Sequence, residues 1–181
     1  EIYGRGLGVE PADVNERWEH ALENPVDPVE VSSDDAPVHD VVRRGDDLDA
    51  DGAALEGLPV PISTPGWDNA PYTTMSAFVT HHPETGARNV GIYRAQVKNR
   101  RRAGMRTTTN WGKGIYRHWL AAKDRGEPLP AAVVLSGPPS VAYTGAQSLA
   151  YDVDELAVSG GLVDAPIRVT EAATVPVMLP A

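Results

Sequence analysis

The sequence contains no cysteine. That excludes a disulfide scaffold, thiolate-bound zinc and thiol nucleophiles, and it agrees with a reducing cytosol. No apolar run approaches the ~20 residues of a membrane-spanning helix, and no signal-peptide pattern opens the chain, so a cytoplasmic location is expected. Positive charge is short: 16 Lys and Arg stand against 25 Asp and Glu, a formal net charge of -9 over 181 residues. An acidic surface of that kind argues against non-specific nucleic-acid binding by the whole molecule. Aromatic residues make up 6% of the chain, and none is interleaved with its one basic run, KNRRRAGMR, which argues against base stacking there. There is no G-x-S-x-G elbow, no H-E-x-x-H helix and no Walker loop, so spacing alone yields no catalytic triad, phosphate loop or strong metal cluster.

What is present is turn chemistry. Seventeen Gly and 16 Pro in a chain of one-domain length predict many short elements. EPADVNERWEHALEN reads as a helix, with Pro11 in its first turn and Val14, Trp18, Ala21 and Leu22 at helical spacing. PVDPVEVSSDDAP reads as an acidic connector, VHDVVRRG as a short strand and DDLDADGAALEG as a solvated acidic loop. That loop lacks the glycine and terminal glutamate of an EF-hand. YTTMSAFVT, HHPETGAR and NVGIYRAQV predict a β-hairpin. A helix is expected over about 114–125, closed by Gly126. AAVVLSGPPS predicts a strand and turn, YDVDELAVSGGLV a helix opened by a capping-box-like Asp152 and Glu155, and APIRVTEAATVPVML two strands. The mixed order predicts an α+β fold, a small barrel or split barrel with flanking helices. The first residue is Glu1 and the last residues are strand-like, so the sequence reads as a portion of something longer, with 1–35 as the tail of a preceding domain and 36–181 as the main domain.

Three long segments carry more than any short motif. LPVPISTPGWDNAPYTTMSAFVTHHPETGARNVGIYRAQ, GIYRHWLAAKDRGEPLPAAVVLSGPPS and YDVDELAVSGGLVDAPIRV occur in this order. Together they resemble the middle portion of the UbiD-like decarboxylases, which use prenylated FMN. The resemblance implies a flavin-binding split β-barrel, and the reversible decarboxylation of aromatic, heteroaromatic or α,β-unsaturated carboxylic acids.

It also implies site residues. Asn89 and Arg94 match a family pair on one strand, the Asn holding a divalent metal against the cofactor phosphate and the Arg lying beside the flavin and the substrate carboxylate. Arginine suits that task, being always charged and able to grip a carboxylate bidentately; the plainer reading is a surface arginine paired with a carboxylate. Side chains five apart on a regular strand point to opposite faces, so a bulge is expected between the two, at Gly91. Glu155 falls on a family metal ligand, and helix capping is its plainer role. Lys113 falls where the family has a ligating His. The resemblance implies Mn2+ or Mg2+ with K+ beside the prenylated FMN. A protonated lysine cannot ligate a metal, but it can neutralise phosphate as a point charge, so Lys113 is expected to replace the divalent metal in part or whole; otherwise it is a solvated loop residue. Thr74 falls where relatives place a hydroxyl near the flavin, or is a cross-strand threonine. Gln147 lies in a loop that approaches the flavin. The family's catalytic glutamates follow the strand matching VPVMLPA, beyond the given sequence, so this stretch alone is expected to lack the general acid. The resemblance further implies a small carboxylic acid substrate, a homo-oligomer, and a flavin prenyltransferase as cofactor source. A non-catalytic flavin-nucleotide-binding domain or accessory subunit is the alternative.

Overall fold

The computed structural model describes residues 1–107 and 114–181. Its centre is the predicted hairpin. Strands β2 (Tyr72–His81) and β3 (Arg88–Asn99) pair antiparallel, with Thr80 opposite Asn89 and Val79 opposite Val90. β5 (Ala131–Val134) extends the sheet beside β2, and β4 (Arg102–Met105) pairs only with the far end of β3, from Ala95 onward. The order β4-β3-β2-β5 forms a curled half-barrel, the α+β class the sequence predicts. A smaller sheet joins β1 (Val29–Glu30), β6 (Arg168–Glu171) and β7 (Met178–Pro180), β1 running parallel to β6.

Alternation along the hairpin sorts its side chains between two cores. Ala77, Val79 and Val90 pack with Val141, Leu156 and Val169, whereas Phe78 and Ala95 pack with Ile115 from the opposite face. Helix α3 (Gly114–Asp124) covers that second face and stops where expected, with Gly126 at a φ of 70°. α4 (Pro139–Gly145) and α5 (Glu155–Val163) cover the first. α5 is apolar all round and accordingly buried from Leu156 to Leu162. Its Leu156 and Leu162 are fully buried, each contributing about 1.5–3 kcal/mol. α1 (Ile2–Leu7) and α2 (Val14–Glu23) pack on α5 through Leu7, Ala21, Val158 and Leu162. Gly161 permits the approach: a Cβ there would lie 2.6 Å from the carbonyl oxygen of Asn24.

Several local expectations are corrected. Residues 38–45 form no strand. Pro37 starts a 3-10 turn, and Val41 is left 75% exposed. The acidic connector instead supplies β1, whose two residues find their partner in β6. α5 is capped by Asp154, not Asp152; its Oδ1 accepts from Leu156 N–H at 2.9 Å. β3 runs in register from Arg88 to Tyr93, so the irregularity is not at Gly91. It lies in β2, where Thr74 and Met75 are inserted across from Arg94.

The basic run folds as the β3–β4 turn against the acidic loop of the same chain. Arg101 meets Asp49 at 2.7 Å, and Arg100 meets Glu56 at 3.0 Å and Asp51 at 3.3 Å. The Arg101 guanidinium holds the Asp49 carboxyl below its ordinary range.

Candidate functional site

β4 ends opposite Ala95, so among the described residues no strand pairs with the outer edge of β3 from Asn89 to Tyr93. In an antiparallel ladder, alternate residues turn both backbone polar groups to the same side. Val90 is one of those facing outward: its N–H donates to Glu155 Oε2 at 3.0 Å. Ile92 directs its own backbone groups to the same edge. A cleft of about 110 Å3 runs along this edge, bounded by Asn89 and Gly91, by Gly114 at the start of α3, by Gly145 at the end of α4 and Gln147 beyond it, and by Tyr151 and Glu155. Pockets that enclose a small organic ligand usually measure roughly 300–1,000 Å3. This cleft has room for only one end of such a ligand.

Asn89 is 8% exposed and its Nδ2 has no hydrogen-bond partner among the described residues. An orphaned buried amide N–H is costly, on the order of 1–3 kcal/mol, and is a donor suited to an acceptor atom or an anion. Gly114 is what makes room for it: a Cβ on Gly114 would lie 2.0 Å from Asn89 Oδ1. On the far wall, burial raises the Glu155 carboxyl to about 7, opposed by the Val90 N–H; nearby Asp154 raises it further and Arg88 lowers it. Arg88 and Asp154 themselves lie 3.3 Å apart and tie the start of β3 to the cap of α5.

The structure thus gathers Asn89, Gln147 and Glu155 at one cleft. Gln147 is exposed there, its side chain donating to the carbonyl of Tyr143 at 3.3 Å. Arg94 and Thr74 do not line the cleft. Both are exposed and face each other across the β2 bulge, and Arg94 has no hydrogen bond or ion pair among the described residues. By alternation Arg94 lies on the face of Val90 and Ile92, not that of Asn89. Five residues of strand separate it from Asn89, about 16 Å. Lys113 lies outside the described residues. Sequence reasoning missed the Gly114 seat, the Val90 N–H and Tyr151; the only trace of the first is a glycine at the helix start in GIYRHW.

Among the described residues no three His, Cys, Asp or Glu side chains cluster to hold a metal. The orphaned Nδ2 of Asn89 is a donor that suits a phosphate oxygen; turned about, the amide would join Glu155 in offering two oxygen donors, a set that suits Mg2+ or Mn2+ only when phosphate and water complete the coordination. The strand edge without a described partner strand, the orphaned amide and the glycine seat fit the polar end of a nucleotide-like ligand.

The family model described as the UbiD 3-octaprenyl-4-hydroxybenzoate carboxy-lyase Rift-related domain matches residues 29–181. An uncharacterized protein of Aquifex aeolicus is 31% identical over 144 residues, 78% of this chain and 29% of its own length. The UbiD-class enzyme HmfF of Pelotomaculum thermopropionicum, in an evolved dimeric form holding prFMN, superposes with a TM-score of 0.87 at 29% identity, over 99% of this chain and 40% of that one. The same enzyme holding FMN gives 0.87 at 28% identity, over 99% and 38%. A 3,4-dihydroxybenzoic acid decarboxylase of Enterobacter cloacae gives 0.82 at 26% identity, over 97% and 36%. The chain thus spans about two fifths or less of these relatives. With its half-barrel and the match over residues 29–181, the chain belongs to the UbiD family of carboxy-lyases.

Proposed function

We propose that this chain forms the flavin-nucleotide-binding part of a prenylated-FMN-dependent decarboxylase acting on aromatic, heteroaromatic or α,β-unsaturated carboxylic acids. The observation that carries the reading is the cleft on the edge of β3 beyond β4, where the orphaned Asn89 amide and the Glu155 carboxyl flank a stretch that pairs with no strand among the described residues. The cofactor, when bound, supplies the electron sink that decarboxylation at an unsaturated carbon requires.

The chain's own residues then have separate tasks. Asn89 and Glu155 would hold the phosphate end, either through Mg2+ or Mn2+, with K+, or with the Lys113 ammonium standing in for part of that charge. Gln147 and the edge of β3 would hold the ligand alongside. Arg94, exposed at the other end of the strand, would grip the substrate carboxylate and orient it. The separation of Asn89 and Arg94 suits an elongated ligand, with its phosphate at one end and its reactive ring at the other. Thr74, across the bulge from Arg94, would offer a hydroxyl at that second end. Residues beyond this sequence would supply the proton donor, and the active species would be a homo-oligomer loaded by a flavin prenyltransferase.

The test is carbon dioxide release by the complete gene product, co-produced with a flavin prenyltransferase. Arg94→Ala should abolish release while retaining bound flavin; near-normal turnover would refute the assignment of Arg94.

A further inference from the structure

We propose that His118 is a positioning residue that sets the Asn89 side chain at the cleft, an inference that rests on reading the cleft as a flavin-nucleotide site. His118 is on α3 and fully buried at 0% exposure, with its Nδ1 2.9 Å from Thr80 Oγ1. Thr80 is also fully buried and is the register partner of Asn89. Residues directly opposite on paired strands share a face. Residues four apart on a helix share a face too, so Gly114 lies one turn before His118 on the same side of α3. One turn of α3 thus lies across one rung of the hairpin, His118 against Thr80 and Gly114 against Asn89. Because Gly114 is in van der Waals contact with the Asn89 carboxamide, the position of that helical turn decides where the carboxamide can go.

The other side of the imidazole leads to the cleft wall. Its ring lies edge-on to Tyr151 at 6.0 Å and to His82 at 5.4 Å. Tyr151 lines the cleft and carries the Arg117 guanidinium over its ring at 4.2 Å. His118 therefore joins the Asn89 rung on one side to the loop before α5 on the other. Burying an imidazole costs desolvation that a hydrocarbon of similar volume would not. What the imidazole provides in return is direction: the bond to Thr80 fixes the rotation and height of α3, which apolar packing leaves loose.

The two roles predict opposite orders for two substitutions. His118→Leu keeps apolar volume and loses the bond; His118→Asn loses volume and keeps a polar atom where Nδ1 stood. In the complete gene product, with FMN as the probe, His118→Leu should weaken equilibrium binding by about tenfold or more, the scale on which supporting hydrogen bonds act at ligand sites. His118→Asn should stay closer to the unsubstituted protein. The His118→Leu loss should vanish in an Asn89→Ala background, because the two substitutions remove one interaction. Thr80→Val, nearly isosteric, should repeat the His118→Leu effect and serves if that variant does not fold. The side-chain amide resonance of Asn89 should shift in His118→Leu and Thr80→Val, a reading independent of FMN. Asn below Leu in affinity, an undiminished loss in the Asn89→Ala background, or an unmoved Asn89 resonance would overturn the proposal. Failure of the unsubstituted protein to bind FMN would instead overturn the flavin reading, while the resonance would still report on positioning.

Discussion

Gly114 and Asn89 touch so closely that the smallest added side chain has no place: a Cβ on Gly114 would meet Asn89 Oδ1 at 2.0 Å and its Cγ at 2.6 Å. A contact of that kind cannot be absorbed by a few tenths of an ångström, so either Asn89 leaves its rotamer or the start of α3 moves. Gly114→Ala should therefore weaken FMN binding by the complete gene product, although alanine is the better helix former by about 1 kcal/mol. Equilibrium titration with FMN checks this, and unchanged affinity would show that the Asn89 rotamer does not matter to the cleft.

Two buried groups should oppose each other in the pH dependence of stability. Burial pushes His118 from its ordinary 6.5 down to about 4, and burial pushes Glu155 from its ordinary 4.5 up to about 7. As pH falls from 6.5 to 4, the unfolded chain gains the His118 proton first, and stability is lost. As pH rises from 4.5 to 7, the unfolded chain releases the Glu155 proton first, and stability is again lost. Each effect is on the order of 3 kcal/mol across its window, and between 4.5 and 6.5 the two slopes have opposite sign. Glu155→Gln should leave a protein that loses stability on acidification from 6.5, and His118→Leu one that loses stability as pH rises from 4.5. Urea midpoints over that range in metal-free buffer decide it; parallel profiles for the two variants would contradict both assignments.

The arginines at the β3–β4 turn should behave as a strap, not as part of the cleft. Arg100 and Arg101 are engaged by Asp49, Asp51 and Glu56. These ion pairs are partly or wholly exposed, so salt should screen them, the Debye length falling to about 3 Å at 1 M. Replacing both arginines with alanine should speed proteolysis within 45–57, as should high salt in the unsubstituted protein, with FMN affinity unchanged. A loss of affinity as large as that of Asn89→Ala would place the run in the cofactor site.

Much of this arrangement was legible in the sequence, for physical reasons that differ by residue. The hairpin announced itself by alternation, and the end of α3 by Gly126. Asn89, Gln147 and Glu155 were singled out through long matching segments, and all three line one cleft. The bulge expected in β3 at Gly91 does not form: β3 stays regular, Asn89 and Arg94 keep opposite faces, and the extra residue sits in β2, which leaves the parity of β3 unchanged. β1 has two residues and α4 seven, too few for any periodicity to emerge. The partners of Arg101 lie about fifty positions away, and the seat of Asn89 on Gly114 exists only once a helix is laid across the sheet.

The central claim is that the edge of β3 beyond β4 holds a flavin nucleotide through Asn89 and Glu155. The most direct measurement is the visible absorbance and flavin content of the complete gene product, purified after co-production with a flavin prenyltransferase, beside its Asn89→Ala and Glu155→Ala variants. The account predicts stoichiometric modified flavin in the unsubstituted protein and a clearly lower content in either variant, with the fold retained by circular dichroism. No flavin in the unsubstituted protein, or equal flavin in all three, would contradict it.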